Sequence, residues 1–169
     1  MNGSGTALQS EVQNCLFLAD GDNLTNRGFR RQAQARVDLF AQACCEAGAY
    51  TRTIVRNYFT AREMRAWGDH GFERISVQDN CDAEVIRRGL NAIESGVRKL
   101  IIASGDAGIV LPVASAAIAA GVQVEVWSRA SACSKQFFGL RVRFIDRFLL
   151  EPPPRRIPAP GFRAPQLGL

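Results

Sequence analysis

The sequence predicts an α/β domain of three layers, a mainly parallel sheet of five or six strands with helices on both faces. Three observations lead there. Apolar runs of strand length alternate with segments of helical period from Cys15 to Leu150. Runs such as Cys15 to Ala19 and Lys99 to Ala103 are continuous rather than alternating, as strands buried on both faces are. Two of these runs lead straight into an aspartate beside a glycine, at the strand end where open α/β sheets receive ligands.

The elements follow in order. Met1 to Asn14 is polar and aperiodic, so residues 1–13 are expected to form a flexible N-terminus. Cys15 to Ala19 is the first strand, and Asn23 to Asn26 the loop after it. From Gly28 to Ala47, Phe29, Ala33, Val37, Phe40 and Cys44 recur at helical spacing, and Gly48 supplies a stop. Thr51 to Phe59 is β-branched and aromatic, a second strand. Ala61 to Trp67 is a short helix and Phe72 to Val77 a third strand. Asp79-Asn80-Cys81-Asp82 precede a helix whose buried stripe is Ile86, Leu90, Ile93 and Val97. Lys99 to Ala103 is the fourth strand, and Ser104-Gly105-Asp106-Ala107-Gly108 a tight turn. Ile109 to Ala120 is apolar all round and reads as a buried helix, with Pro112 tolerated in its first turn. Val122 to Trp127 is the fifth strand, Ala132 to Leu140 a short helix, and Val142 to Leu149 holds an edge strand. Residues 14–150 thus form the domain. The Pro- and Arg-rich stretch 151–169 reads as a disordered tail able to recruit a protein partner.

Composition narrows the class. With 169 residues, 47% hydrophobic and 22% charged, the chain suits one globular domain. No apolar run reaches membrane-span length, and the start lacks a basic segment leading into an apolar core. Five cysteines without a C-x-x-C fit reduced thiols in the cytoplasm. The net charge is +5; lysine occurs only at Lys99 and Lys135, so the other 19 of the 21 basic residues are arginine. Such a surplus fits either attraction of nucleic acid or arginine usage that reflects genome composition. A homo-oligomer is compatible with the composition.

Asp20 ends the first strand, Asp106 follows the fourth, and Asp82 opens the helix after the third. If the first and fourth strands are neighbours, the three carboxylates converge at a topological switch point. Carboxylates without His or Cys partners suit Mg²⁺ or Mn²⁺, which activate water against a phosphodiester. The bland readings are a helix cap for Asp82 and a turn former for Asp106.

These residues carry a resemblance. Leu16-Phe17-Leu18-Ala19-Asp20-Gly21-Asp22-Asn23-Leu24 resembles the opening motif of NYN domains, a branch of the PIN-like nucleases. Asn80-Cys81-Asp82-Ala83-Glu84-Val85 is similar to their second acidic motif, and Leu100-Ile101-Ile102-Ala103-Ser104-Gly105-Asp106 to their third. Gly121-Val122-Gln123-Val124-Glu125-Val126 and Phe144-Ile145-Asp146-Arg147-Phe148 look like the closing strands. The resemblance implies a PIN-like, Rossmann-like fold with Asp20, Asp82 and Asp106 as catalytic acids that hold Mg²⁺ or Mn²⁺. It further implies metal-dependent endoribonuclease activity, with Asn23, Ser104 and Asp22 supporting the ligands. Arg27, Arg30, Arg31, Arg129 and Lys135 are the candidates to hold RNA. The family's third motif usually has a second aspartate two residues after the first, then an aromatic; here Gly108 and Ile109 stand there. Asp22 or Asp146 are candidates to compensate.

Three competing readings remain. A catalytically weakened RNA-binding module follows from Gly108. A haloacid-dehalogenase-like phosphatase would use Asp20 and Asp22 as its Asp-x-Asp pair, but its later acid and its lysine are not where that motif needs them. A nucleotide-binding Rossmann domain lacks G-x-G-x-x-G. His70, the sole histidine, reads as a loop residue, Trp67 and Trp127 as core or rim, with Trp127 a candidate for stacking a base. Ser134 reads as a cap of the short helix.

Overall fold

A computed structural model describes residues 14–25 and 32–149. The expectations for residues 1–13, for Arg27, Arg30 and Arg31, and for 151–169 lie outside the described residues. The strands are β1 (Cys15–Asp20), β2 (Thr51–Arg56), β3 (Glu73–Ser76), β4 (Lys99–Ala103), β5 (Gln123–Ser128) and β6 (Arg141–Phe144). The helices are the single turn α1 (Gly21–Leu24), then α2 (Ala33–Glu46), α3 (Ala61–Asp69), α4 (Cys81–Glu94) and α5 (Ala107–Ala119), with 3₁₀ turns at Lys135–Phe137 and Asp146–Leu149. The sheet runs β3-β2-β1-β4-β5-β6 and every pairing is parallel. The predicted three-layer α/β/α class is the observed one.

Strand residues alternate between two cores because successive side chains leave opposite faces. Phe17, Ala19, Ile54, Ile101 and Trp127 meet α2 and α3 through Val37, Phe40 and Trp67. Leu18, Val55, Ile102 and Val126 meet α4 and α5 through Val85, Val110 and Val113. The first core is aromatic: Phe17 and Trp127 stack edge-on at 5.3 Å, Trp67 and Phe72 at 4.8 Å. Burying each such ring contributes about 1.5–3 kcal/mol, and a well-placed pair about 0.5–1.5 kcal/mol more. The chain moves from β1 outward to β3, then returns to β4 on the other side of β1. Right-handed crossovers then put α4 and α5 on the face opposite α2 and α3. The reversal leaves a crevice beyond the carboxyl ends of β1 and β4.

Several element boundaries differ from the sequence reading, each for a physical reason. The turn after β1 is helical over Gly21–Leu24 because the Asp20 side chain caps it. β2 stops at Arg56, since the Asn57 N–H is taken by Asp22 rather than by a strand. In α4 the fully buried line is Cys81, Val85 and Gly89, not Ile86 and Leu90. A Cβ on Gly89 would lie 2.6 Å from Val113, so this glycine is the closest contact between α4 and α5. Helix α5 is not buried all round: Pro112, Ser115 and Ile118 face outward, Ile118 being 59% exposed. It starts at Ala107, two residues early, which moves Pro112 beyond the first turn and leaves the Gly108 carbonyl without an N–H partner from residue 112. The helix expected from Ala132 to Leu140 is only the first 3₁₀ turn, and the last expected strand ends at Phe144. Gly48 does stop α2: at φ 75° it lets Ala49 N–H reach the Cys44 carbonyl at 2.8 Å and its own N–H the Cys45 carbonyl at 3.0 Å.

Candidate functional site

The register of β1 on β4 pairs Ala19 with Ala103, so Asp20 and Ser104 are the next residues on adjacent strands. Ser104 Oγ donates to Asp20 Oδ2 at 3.1 Å and accepts the Asp106 N–H at 3.1 Å. One buried hydroxyl therefore joins the two strand-end acids. The Asn23 N–H donates to Asp20 Oδ1 at 3.2 Å, and Asn23 Oδ1 accepts the Gly105 N–H at 3.1 Å. Asn23 and Ser104 thus stitch the β1 and β4 loops together across the switch point.

Asp20 is 4% exposed and makes no ion pair among the described residues. Burial pushes its carboxyl above the ordinary range. The Asn23 N–H and Ser104 hydroxyl oppose that rise, while the charges of Asp82 and Asp22 add to it. Asp106 is exposed and caps α5, its Oδ1 accepting the Gly108 N–H at 2.7 Å. Asp82 lies exposed in the first turn of α4, whose cap is Asn80. It is near enough to Asp20 for its charge to act there, yet among the described residues no three His, Cys, Asp or Glu side chains come close enough to hold one ion. The Ser104 hydroxyl links the Asp20 carboxylate to the Asp106 backbone, while the acidic charges that reach Asp20 are those of Asp82 and Asp22.

Both candidates for compensation have structural partners among the described residues. Asp22 Oδ1 accepts from Arg56 Nε at 3.1 Å and its Oδ2 from the Asn57 N–H at 3.0 Å. Asp22 is thus tied to the end of β2, while its charge still acts at Asp20. Asp146 Oδ2 accepts the Ala130 N–H at 3.0 Å, beyond β5. Gly108 itself does not have a left-handed φ, and a Cβ there would sit 3.2 Å from Asp106 Oδ1, so a larger residue fits with a small shift.

Among the candidate RNA contacts, Arg129 donates Nη2 to the Leu24 carbonyl and so braces the β5 loop against α1. Lys135 opens the first 3₁₀ turn, exposed, with Ser134 as its cap. Trp127 and Trp67 are both 0% exposed, which places their faces in the core rather than against a base. His70 lies 2.6 Å from Asp38, away from the acids in sequence and in partners.

Two features were missed in the sequence. Cys81, the first residue of α4, is a third neighbour of the acids. Burial and the charges of Asp20, Asp22 and Asp82 push its thiol up to about 12, and it donates to the Val55 carbonyl at 3.4 Å. It stays a neutral thiol, so the donors here are oxygen, the set preferred by hard cations. The second is Arg56, 2% exposed, whose Nη1 lies 2.6 Å from Glu63. No spacing rule flags either; only the topology brings them in. The acids also tell against a dinucleotide, because Asp20 and Asp22 hold the helix start where its pyrophosphate would sit.

No family profile and no curated protein matches the sequence. The fold is similar to that of a protein of unknown function from Vibrio parahaemolyticus, known from its crystal structure. The TM-score is 0.63 at 14% identity, over 79% of this chain and 93% of that one.

Proposed function

We propose that the chain is an NYN-type, metal-dependent endoribonuclease whose centre is Asp20 and Asp106. The observation that carries this reading is the buried Asp20 carboxylate, without a cation beside it among the described residues, sharing Ser104 with the backbone of Asp106. Buried acids kept uncompensated at a switch point are the usual mark of a ligand site. The donor set fits Mg²⁺ or Mn²⁺, which often rest on one or two carboxylates and take further oxygens from water and substrate phosphate. When bound, such an ion supplies an activated water and offsets charge on the phosphodiester.

The chain's residues have separable tasks in this scheme. Asp20 is the fixed ligand, held at both oxygens by Asn23 and Ser104. Asp106 presents its second oxygen, since Oδ1 is engaged by Gly108 N–H. Asp82 acts through water and adds negative charge. Lys135 holds the strand.

A second reading, a binding module that does not cut RNA, is favoured by Gly108 standing where the resembling family places an acid. One experiment separates them: incubation of mixed RNA with Mn²⁺, beside EDTA and Asp106→Asn controls. Cleavage that is lost in both controls supports the nuclease. RNA that is bound but intact in every divalent metal overturns it in favour of the binding module.

A further inference from the structure

Phe138 is 99% exposed, on a segment that begins at the acid site. A Cβ on Gly105 would lie 2.3 Å from the Ala132 carbonyl, so the β5–β6 connection packs directly over the Ser104-Gly105-Asp106 turn. Arg129 fixes the same connection to Leu24. Farther along, the 3₁₀ turn is pinned from below by Phe137, only 4% exposed and packed in the core with Leu18 and Ile102. Ser134 Oγ accepts the Gln136 N–H at 3.2 Å and the Leu140 N–H reaches the Phe137 carbonyl at 3.0 Å. The backbone that carries Phe138 is thus an ordered turn, with the ring open to solvent, which lowers the backbone entropy cost of using it.

The segment that carries Phe138 is basic in sequence, with Arg129 bound to the Leu24 carbonyl, Arg143 over Trp127 and near Glu46, and Arg147 over Phe148. Between residues 129 and 147 the chain has five basic side chains, Arg129, Lys135, Arg141, Arg143 and Arg147, against the single acid Asp146. Lys135 makes no ion pair among the described residues, and the Arg141 side chain is 80% exposed, its nearest carboxylate being Glu125 at 3.8 Å. The chain neighbours of Phe138, Lys135, Gln136 and Gly139, are exposed. An exposed aromatic ring on an ordered turn, in a segment that also exposes Lys135 and Arg141, matches the stacking platforms of single-strand binders, which take unpaired bases on the ring and phosphates on the charges.

We propose that Phe138 is a base-stacking platform which, with Lys135 and Arg141, binds single-stranded RNA leading to or from the acid site. This rests on the RNA reading above for its ligand but not on cleavage.

The test is fluorescence anisotropy of the full chain with a labelled oligouridylate in EDTA, which removes cleavage from the measurement. Phe138→Ala is expected to weaken binding by roughly 5- to 100-fold, the range of one lost base stack. Phe138→Trp is expected to restore it. Because Trp67 and Trp127 are buried, the new indole is the exposed one, and its emission should fall on adding single-stranded RNA but not the matching duplex. Lys135→Gln should reduce the salt slope by roughly 0.7. Equal binding by Phe138→Ala, an unquenched Phe138→Trp, or no binding by the wild type would each overturn the proposal. So would a wild-type dimer that Phe138→Ala turns into a monomer, since the ring would then be a protein contact. Binding through Phe138 without cleavage in Mn²⁺ would overturn the nuclease and leave this platform standing; cleavage with Phe138→Ala binding normally would do the reverse.

Discussion

Glu63 and Asp20 are both buried carboxylates beside the carboxyl ends of neighbouring strands, and they are compensated in opposite ways. Glu63 is 0% exposed, with Arg56 Nη1 at 2.6 Å and the Thr60 N–H and hydroxyl on its other oxygen at 2.9 and 2.8 Å. Its partner Arg56 is in turn held by Asp22. That knot closes the capping box of α3 and fixes the end of β2. Asp20 has two neutral donors and two acidic neighbours, Asp22 and Asp82, that disfavour its charge. Burying a charge without a counter-charge is costly. Among the described residues one carboxylate is neutralised and the other is left facing acidic charge, which is the contrast that the proposed ligand role of Asp20 rests on.

The comparison breaks most visibly at Glu63. Glu63→Ala leaves the Arg56 guanidinium buried beside an exposed Asp22 alone, and denaturant unfolding should show a loss of about 3–5 kcal/mol. An unchanged midpoint would mean that the knot contributes nothing.

A smaller change sharpens the other side. Gly108→Asp adds a carboxylate near Asp106 in ordinary helical backbone. The Mn²⁺ affinity, followed by calorimetry, should tighten by roughly tenfold, as ligand charge count does in other oxygen sites. An affinity that does not move would place Gly108 outside the cation's reach.

The legible and the illegible parts of this molecule differ in kind. The strand order around β1 was readable because continuous apolar runs and the acids at their ends obey rules of period and topology. The same reading placed Asp20 and Asp106 on neighbouring strands, and Gly48 at a helix stop. Gly89 was not readable: a glycine leaves no apolar mark, although it is where α4 meets α5. Arg56 and Glu63 look like ordinary surface charges until the β2–α3 turn brings them together. Trp127 read as core or rim, with base stacking open because Ser128 and Arg129 follow it, and the core alternative is the observed one. Its ring turns to the aromatic core with Phe17 and Phe148, a choice made by strand parity. Helix α5 misled because its outward face carries Pro112 and Ile118, apolar residues that stand in water.

The smallest effect comes from removing the Asp20 charge. Its folded carboxyl lies above the unfolded value of 3.8, so its contribution to stability is complete below that value and is lost as pH rises through the raised one. Asp20→Asn escapes that loss. At neutral pH it should melt above the wild type by a few degrees, since about 1 kcal/mol moves a domain of this size by roughly 2–4 °C, and the gap should close as the pH approaches 3.8. A variant that melts below the wild type at every pH would make Asp20 a structural residue like Glu63.

The most direct measurement of the central claim is a Mn²⁺ titration by calorimetry of the wild type and Asp20→Asn at neutral pH, with melting followed in the same samples. The account predicts binding to the wild type with a rise in its melting temperature, and neither binding nor a rise in Asp20→Asn. Equal binding by the two proteins would contradict it.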